Sequence, residues 1–395
     1  MKSEAGGLRL GRGRLRFGRE EWAGSFGDLG TALPLLIGVI GATGVDAAGV
    51  FVVFGLAQLG SGLMYGLPLP MQPLKAMAAL AISQRLAPGV LFGGGLAIGL
   101  MMMGLSVSGA LGWLARGIPQ VVVRGLQGGL GVTLCWLALG TYVPSEGAVG
   151  YGLAGAAGLM VWGLRGQRRF PAALGVVLLG AVYGGLYRLD AGRLVEGWGW
   201  ALPKVRWPEG GAVWAGLVVL ALPQLPLSLA NSVIATQRTV QDLFPGRGVG
   251  VGRLGMTYGI FNVVASCLGG VPVCHGCGGL VGHYALGGRS GGSVVIYGML
   301  FLALGLGGSV AAGEWVQLFP KPILGVLLGL EGLALLGLLR DVWGSARSMG
   351  VAAVVGGCAV FLPQGYLIGM ALGVLLWRVL GGRNLHSTGG GAGFL

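Results

Sequence analysis

Apolar runs of about 20 residues recur from one end of this chain to the other, each long enough to cross a bilayer as a helix. No other feature narrows the fold so far. Inside hydrocarbon every backbone N–H and C=O must find a partner within the protein, so only helices and closed barrels span a membrane. Runs of this length select helices. Composition agrees: of 395 residues, 54% are hydrophobic and 10% charged, against roughly 25% charged in a soluble domain. Mean hydropathy is +0.79. The expected fold class is an all-α integral membrane protein, with no stretch outside the spans long enough for a soluble domain.

Proline, glycine and charge punctuate the apolar runs into about fourteen spans. They suggest a basic N-terminal segment at 1–21, spans 1–7 over 22–187, and a connection at 188–211. Spans 8–14 over 212–381 and a tail at 382–395 complete the chain. Placing both ends in the cytoplasm puts nineteen Lys and Arg inside and six outside, with Lys75 left within the membrane. This satisfies the positive-inside rule, and it accounts for the net charge of +13. Nucleic acid is not the expected partner, because the arginines sit between apolar runs rather than along one face. The first apolar run contains Asp28 and continues into the other spans, so a cleavable signal is not expected. The setting expected is the plasma (inner) membrane, multi-pass. The five cysteines are odd in number and mostly within spans, which argues against a disulfide framework.

Fourteen divides into seven plus seven. An odd number per half makes the second half enter the membrane in the opposite sense, the inverted-repeat plan of many secondary transporters. Span 3, near 68–86, opens on "GLPLPMQPLK"; span 10, near 272–287, opens on "GVPVCHGCGG". Aligning Pro68 with Pro272 sets Gln72 opposite Gly276. Neither segment can be helical through its prolines, so each is expected to enter extended and begin a helix near mid-membrane. Such paired broken segments mark the transport site in this plan.

The polar residues near those breaks suit an anion. Each helix start presents unpaired N–H groups and roughly +0.5 charge. Two starts and Lys75 supply about +2, enough for a dianion. The alternative for Lys75 is a snorkelling side chain near a span end. In span 8, "ALPQLPLSLANSVIATQ" places Gln224, Ser228, Asn231 and Ser232 on one helical face, as a lined cavity or as interhelical hydrogen-bond glue. Asp28 in span 1 and Glu331 in span 12 are intramembrane carboxylates, which are expensive and usually functional. Asp28 can pair with Lys75, carry a coupling proton, or cap a helix; Glu331 is a second proton candidate. His275 is a substrate contact, a third proton carrier, or a satisfied structural histidine. Cys274, His275 and Cys277 are also metal-ligand or thiol types, but zinc needs about four ligands and only His283 lies nearby. No metal, cofactor or enzymatic chemistry is therefore expected.

Five stretches, "GSFGDLGTALPL", "PLPMQPLKAMAAL", "PQLPLSLANSVIAT", "DLFP" and "PVCHGCGGLVGHYALGGRSG", resemble the molybdate-transporter family, a branch of the sulfate-permease superfamily. The resemblance runs in order from about 20 to 380. It implies the fold of sulfate permeases and uracil permease: two inverted seven-span repeats forming a core domain (spans 1–4 and 8–11) and a gate domain (5–7 and 12–14). It implies molybdate as substrate. By motif it marks Gln72, Lys75, Gln224, Asn231, Ser232, His275, Gly276 and Arg289. Homologous folds are often dimeric, so a homodimer is an expected assembly.

The reading is a secondary active importer of a tetrahedral oxyanion, molybdate before tungstate or sulfate. A dianion entering against about 100 mV, inside negative, costs about 4.6 kcal/mol, which calls for coupling, and two protons cancel its charge. A nucleobase permease of the same fold is disfavoured, because spans 8 and 10 lack a carboxylate for ring N–H groups. A membrane thiol or metal oxidoreductase on Cys274, His275 and Cys277 is the reading from a different class.

Overall fold

The computed structural model describes residues 9–10, 13–164, 172–189, 192, 202–307 and 309–381. The expected tail at 382–395, most of the basic segment before residue 13 and part of the 188–211 connection lie outside the described residues. The first half holds α1 Arg19–Ser25, α2 Leu29–Thr43, α3 Ala47–Tyr65, strand β1 Met71–Pro73, α4 Lys75–Gln84, α5 Pro88–Val107 and α6 Ala110–Gly117. It continues with α7 Gln120–Leu137, α8 Gly147–Gly163 and α9 Ala172–Tyr187. The second half holds α10 Gly210–Leu243, α11 Val251–Cys267, strand β2 Val273–His275, α12 Cys277–Ala285, α13 Gly292–Leu306 and α14 Ser309–Leu318. Helices α15 Lys321–Gly337, α16 Ala346–Phe361 and α17 Gly365–Val379 complete it.

Among the described residues, five stretches are long and apolar enough to cross a membrane unaided: Ala47–Tyr65, Pro88–Val107, Gln120–Gly163, Gly210–Leu243 and Lys321–Val342. α9, α13, α16 and α17 are shorter apolar helices. The first expected span is not one rod. α1 and α2 meet at a 40° bend, and Asp28 lies in the break. Spans 5 and 6 run on without a loop, through a π turn at Ala138–Tyr142 and a 3₁₀ turn to Gly147. There the backbone reverses at φ +58°, a conformation open to glycine.

The helices pack as two groups. In the first, α3 lies against α13 and α5 against α11. In the second, α7 lies against α15 and α16, and α16 against α17. Small residues set the spacing, as expected where lipid gives no hydrophobic drive between helices. A Cβ on Gly55 would sit 2.8 Å from the Gly298 carbonyl oxygen, so α3 and α13 touch through backbone. Phe51, Phe54, Tyr297 and Phe301 fill the space beside that contact, with Phe54 and Phe301 edge-on at 4.8 Å.

α10 departs from regular helix at Leu217–Ala221 and Ser228–Ala235, both π-helical. Pro223 and Pro226 supply no N–H and crowd the carbonyl four residues back, which favours a wider turn. The widening changes the phase of the residues that follow, with consequences for the site.

Candidate functional site

β1 and β2 cross antiparallel, with Met71 opposite His275, Gln72 opposite Cys274 and Pro73 opposite Val273. The Leu74 amide donates to the Pro272 carbonyl at 2.9 Å, and the Gly276 amide to the Pro70 carbonyl at 3.3 Å. Each strand then starts a helix, α4 at Lys75 and α12 at Cys277. The two broken segments therefore correspond through Pro70 and Pro272, not through Pro68 and Pro272. A tight turn at Pro68, with the Leu69 amide on the Leu67 carbonyl at 2.8 Å, takes up the two extra residues of the first segment. Lys75 thus corresponds to Cys277, and Gln72 to Cys274 rather than Gly276.

Sequence reasoning missed two residues that hold this crossing. Gln58, in α3, accepts from the Met71 amide at 2.8 Å and donates to the Met71 carbonyl at 2.7 Å. Asn262, in α11, does the same for Val273, at 2.9 and 2.6 Å. Both amides are fully buried. Each acts as a one-residue neighbour strand, closing an edge that has no water to bond. The available signal was a single carboxamide at matching places in spans 2 and 9.

Gln72 and Gly276 do meet in space. The Gln72 side chain lies across Gly276, where an added Cβ would fall 2.0 Å from Gln72 Oε1. From there Gln72 Nε2 donates to Asp28 Oδ1. Asp28 rests against α12 at Gly279, where a Cβ would be 3.0 Å from its carboxyl carbon. Its other oxygen, Oδ2, is buried without a partner. The expected Asp28–Lys75 pair is not formed. Lys75 Nζ instead pairs with Glu331 Oε1 of α15, and Glu331 Oε2 accepts from Thr31 Oγ1 at 3.2 Å. Lys75 and Glu331 keep 20% and 14% of their side-chain surface, so this pair is part-exposed while Asp28 is buried.

The two helix starts are treated differently. Gln224 Oε1 accepts from the Ala76 and Met77 amides of α4, at 3.0 and 3.2 Å. Its Nε2 donates to Ser228 Oγ at 3.2 Å, which in turn meets Tyr258 Oη at 2.8 Å. The α4 start is thus capped by a neutral acceptor that satisfies two donors without cancelling their partial charge. At α12, no carbonyl or carboxylate among the described residues accepts from the amides of Cys277, Gly278 or Gly279, and only the Cys277 sulfur lies against the first two. Gly278 is exposed and faces open space.

The span 8 face does not hold together as one surface. Gln224 and Ser228 share a face, as the helical spacing predicts. Beyond them the π stretch turns Ser232 toward the Cys274 thiol. It turns Asn231 toward the second helix group, where Asn231 Oδ1 accepts from Gln127 Nε2. Gln127 Oε1 takes Arg124 Nη1 at 2.9 Å, and Arg124 pairs with Asp341.

Two marked residues lie elsewhere. His275 projects to the side of β2 opposite Cys274, where it is fully buried. There its Nε2 meets Thr257 Oγ1 at 2.7 Å, under the rings of Tyr65 and Phe261. Strand alternation accounts for this, since neighbouring side chains point to opposite faces. It also separates His275 from Cys274 as co-ligands. Arg289 sits past the far end of α12, exposed over the Tyr284 ring at 3.6 Å. Among the described residues, neither side chain bonds to Lys75 or Glu331.

The overall fold is one that known structures share. The transmembrane domain of a cyanobacterial bicarbonate transporter, BicA, superposes with a TM-score of 0.64 at 17% identity, over 91% of this chain and 96% of that one. Murine Slc26a9, an anion transporter captured inward-facing, gives 0.70 at 14% identity, over 91% and 68%. This is a multi-pass membrane protein with an anion-transporter fold. Residues 20–134 and 216–335 match the family described as "Molybdate transporter of MFS superfamily". Molybdate transporters 1 and 2 of Arabidopsis thaliana are 32% and 28% identical over 91% and 93% of this chain, and 88% of their own lengths. The chain belongs to the molybdate transporter family.

Proposed function

We propose that this protein imports a tetrahedral oxyanion dianion, molybdate first, coupled to protons and by alternating access. One observation carries the reading: the β1–β2 crossing brings Lys75 and the start of α12 to one part-exposed place. The relatives' names supply the substrate class. Tungstate and sulfate share its charge and shape.

Charge at the site favours coupling. Lys75 contributes one positive charge, and the two helix starts together about one more. Asp28 and Glu331, both ionised, cancel this and leave little attraction for a dianion. With both protonated, the site carries about +2, the complement of the substrate. Binding of the anion and of two protons are thus mutually favourable, which is the thermodynamic content of symport. Glu331 is well suited to its part: it occupies the Lys75 ammonium that the anion needs, and a proton on Glu331 releases it.

The matching segments, with Lys75 against Cys277 and Gln58 against Asn262, support two inverted seven-span repeats. In this reading the first helix group is the core and the second the gate, and the core rocks against the gate around the crossing. The test is equilibrium binding of molybdate, tungstate and sulfate to purified protein, with uptake into proteoliposomes. Lys75→Ala is expected to weaken binding at least about tenfold, about 1.4 kcal/mol. Collapsing the pH gradient is expected to abolish accumulation. Unchanged affinity removes the site, and unchanged accumulation removes proton coupling.

A further inference from the structure

Away from the crossing, the second helix group carries a groove between α15 and α16, over the back of α7. Its volume is about 430 Å³, and every residue lining it is apolar. Backbone contacts form its floor. A Cβ on Gly125 would fall 2.7 Å from the Ala352 carbonyl oxygen, and one on Gly129 2.9 Å from that of Gly356, so α7 and α16 touch without side chains between them. On the α16 wall Met349, Ala353, Gly357 and Phe361 recur every fourth residue and share one face. The bulky members stand at the ends and the small ones in the middle, which makes the face concave. A side chain at Gly357 would meet nothing within 4 Å.

The dimensions narrow the occupant. From Met349 to Phe361 the helix rises about 18 Å, close to the depth of one leaflet, about 15 Å. Spread over that length, 430 Å³ gives a cross-section of about 24 Å², against roughly 80 Å² for a helix 10 Å across. The groove admits a single hydrocarbon chain and not a helix of a second copy. Charge is confined to one end, the end expected in the cytoplasm. There Arg340 lies in the 3₁₀ turn Leu338–Val342, and the Trp343 amide continues the turn onto the Arg340 carbonyl at 3.3 Å. Residues three apart eclipse in such a turn, so Arg340 shares a face with Trp343, which lines the groove. Arg347 stands two residues before Met349, and both arginines are exposed. Asp341, the carboxylate beside them, is taken by Arg124. Among the described residues, Arg340 and Arg347 have no carboxylate partner. Exposed Trp343 has the amphipathic ring that settles at headgroup depth.

We propose that this groove seats one acyl chain of an anionic phospholipid, whose phosphate rests on Arg340 and Arg347. Basic pockets between membrane helices take anionic headgroups in this way. The chain fills the trough that the glycines open, and the two uncompensated arginines select the headgroup. Such a lipid touches α7, α15 and α16 together, beside the Arg124–Asp341 pair, and braces the second helix group as a unit. The inference does not depend on which anion is transported.

The test is native mass spectrometry of the full chain, stripped of lipid in detergent and titrated with phosphatidylglycerol or phosphatidylcholine. The unmodified protein is expected to bind one phosphatidylglycerol about thirtyfold more tightly than phosphatidylcholine, the combined worth of two basic side chains against anionic lipid. Gly357→Phe fills the groove and is expected to lose the tight site for both lipids. Arg340→Gln with Arg347→Gln is expected to bring the two lipids within about threefold of each other, whereas Arg238→Gln, an exposed cation on α10, is expected to leave the preference intact. Equal binding of both lipids to the unmodified protein, a tight site that survives Gly357→Phe, or a preference lost equally in Arg238→Gln overturns the proposal. A dimer that Gly357→Phe dissociates also overturns it, in favour of a second copy as occupant. Should Gly357→Phe not fold, the arginine pair decides alone: loss of the preference supports the lipid site, and its retention overturns it.

Discussion

Lys75 and Gln224 sit within one turn of each other across the start of α4, and they divide two tasks between them. Gln224 satisfies amides that have no water to bond; Lys75 supplies the formal charge. The choice of a neutral cap matters. Gln224→Glu keeps an acceptor of the same length but adds a negative charge beside the anion. At an effective dielectric of about 20, a unit charge a few ångströms away is worth several kcal/mol, so binding is expected to fall by far more than about tenfold. Calorimetry with molybdate checks this, and a change within about twofold would mean the anion does not approach α4. Glu331→Gln is expected to act in the opposite sense. It frees Lys75 from its gate-side partner, so affinity is expected to rise about tenfold. Weaker binding in that variant would show that Glu331 positions Lys75 rather than competing for it.

At the scale of elements, the crossing of β1 and β2 depends on two buried carboxamides. Gln58→Leu or Asn262→Leu leaves one N–H and one C=O of a mid-membrane strand unpaired, at about 1–3 kcal/mol for each group left unsatisfied. Each is expected to lower the thermal midpoint in detergent by several degrees and to reduce molybdate affinity, whereas Ser106→Ala on α5, far from the crossing, is not. Equal stability of all three would show the clamps to be dispensable. These same elements show where sequence suffices. Proline spacing in "GLPLPMQP" and "GVPVCHGCGG" made the broken helices legible, because proline's effect on backbone is local. Lys75 and Gln224 were legible as rare polar groups in oil. The correct alignment of the two breaks was not, since it hinges on a turn at Pro68 that motif matching skips. The span 8 face was legible only as far as Ser228, because a helical projection assumes 3.6 residues per turn and the π stretch at Ser228–Ala235 does not obey it. His275 was assigned to the cavity by its motif, and strand alternation sent it the other way. Who pairs with Lys75 is a contact between residues 256 positions apart, and no local pattern encodes it.

On the scale of the whole molecule, alternating access requires the bonds between the two helix groups to break and re-form in each cycle. Among the described residues, two polar bridges join the groups in this conformation. One is Lys75–Glu331 with Thr31; the other runs Asn231–Gln127–Arg124–Asp341. On the proposed function, the first lies at the substrate and responds to protons and anion. The second includes neither Lys75 nor Glu331, and on the proposed function it sets the resting balance between the two facing states. Gln127→Ala removes about 1 kcal/mol from this conformation alone, which shifts the balance roughly fivefold toward the other. Cys277, part-buried at the open start of α12, reports the shift. In a protein with the other four cysteines replaced, a charged thiol reagent reaches Cys277 only through the open side. Gln127→Ala is expected to slow labelling from one face of the membrane and speed it from the other, by similar factors, with molybdate protecting in both cases. A change of the same sign from both faces would mean that the substitution loosens the fold instead of tilting an equilibrium, and the bridge would then be structural packing rather than part of the cycle.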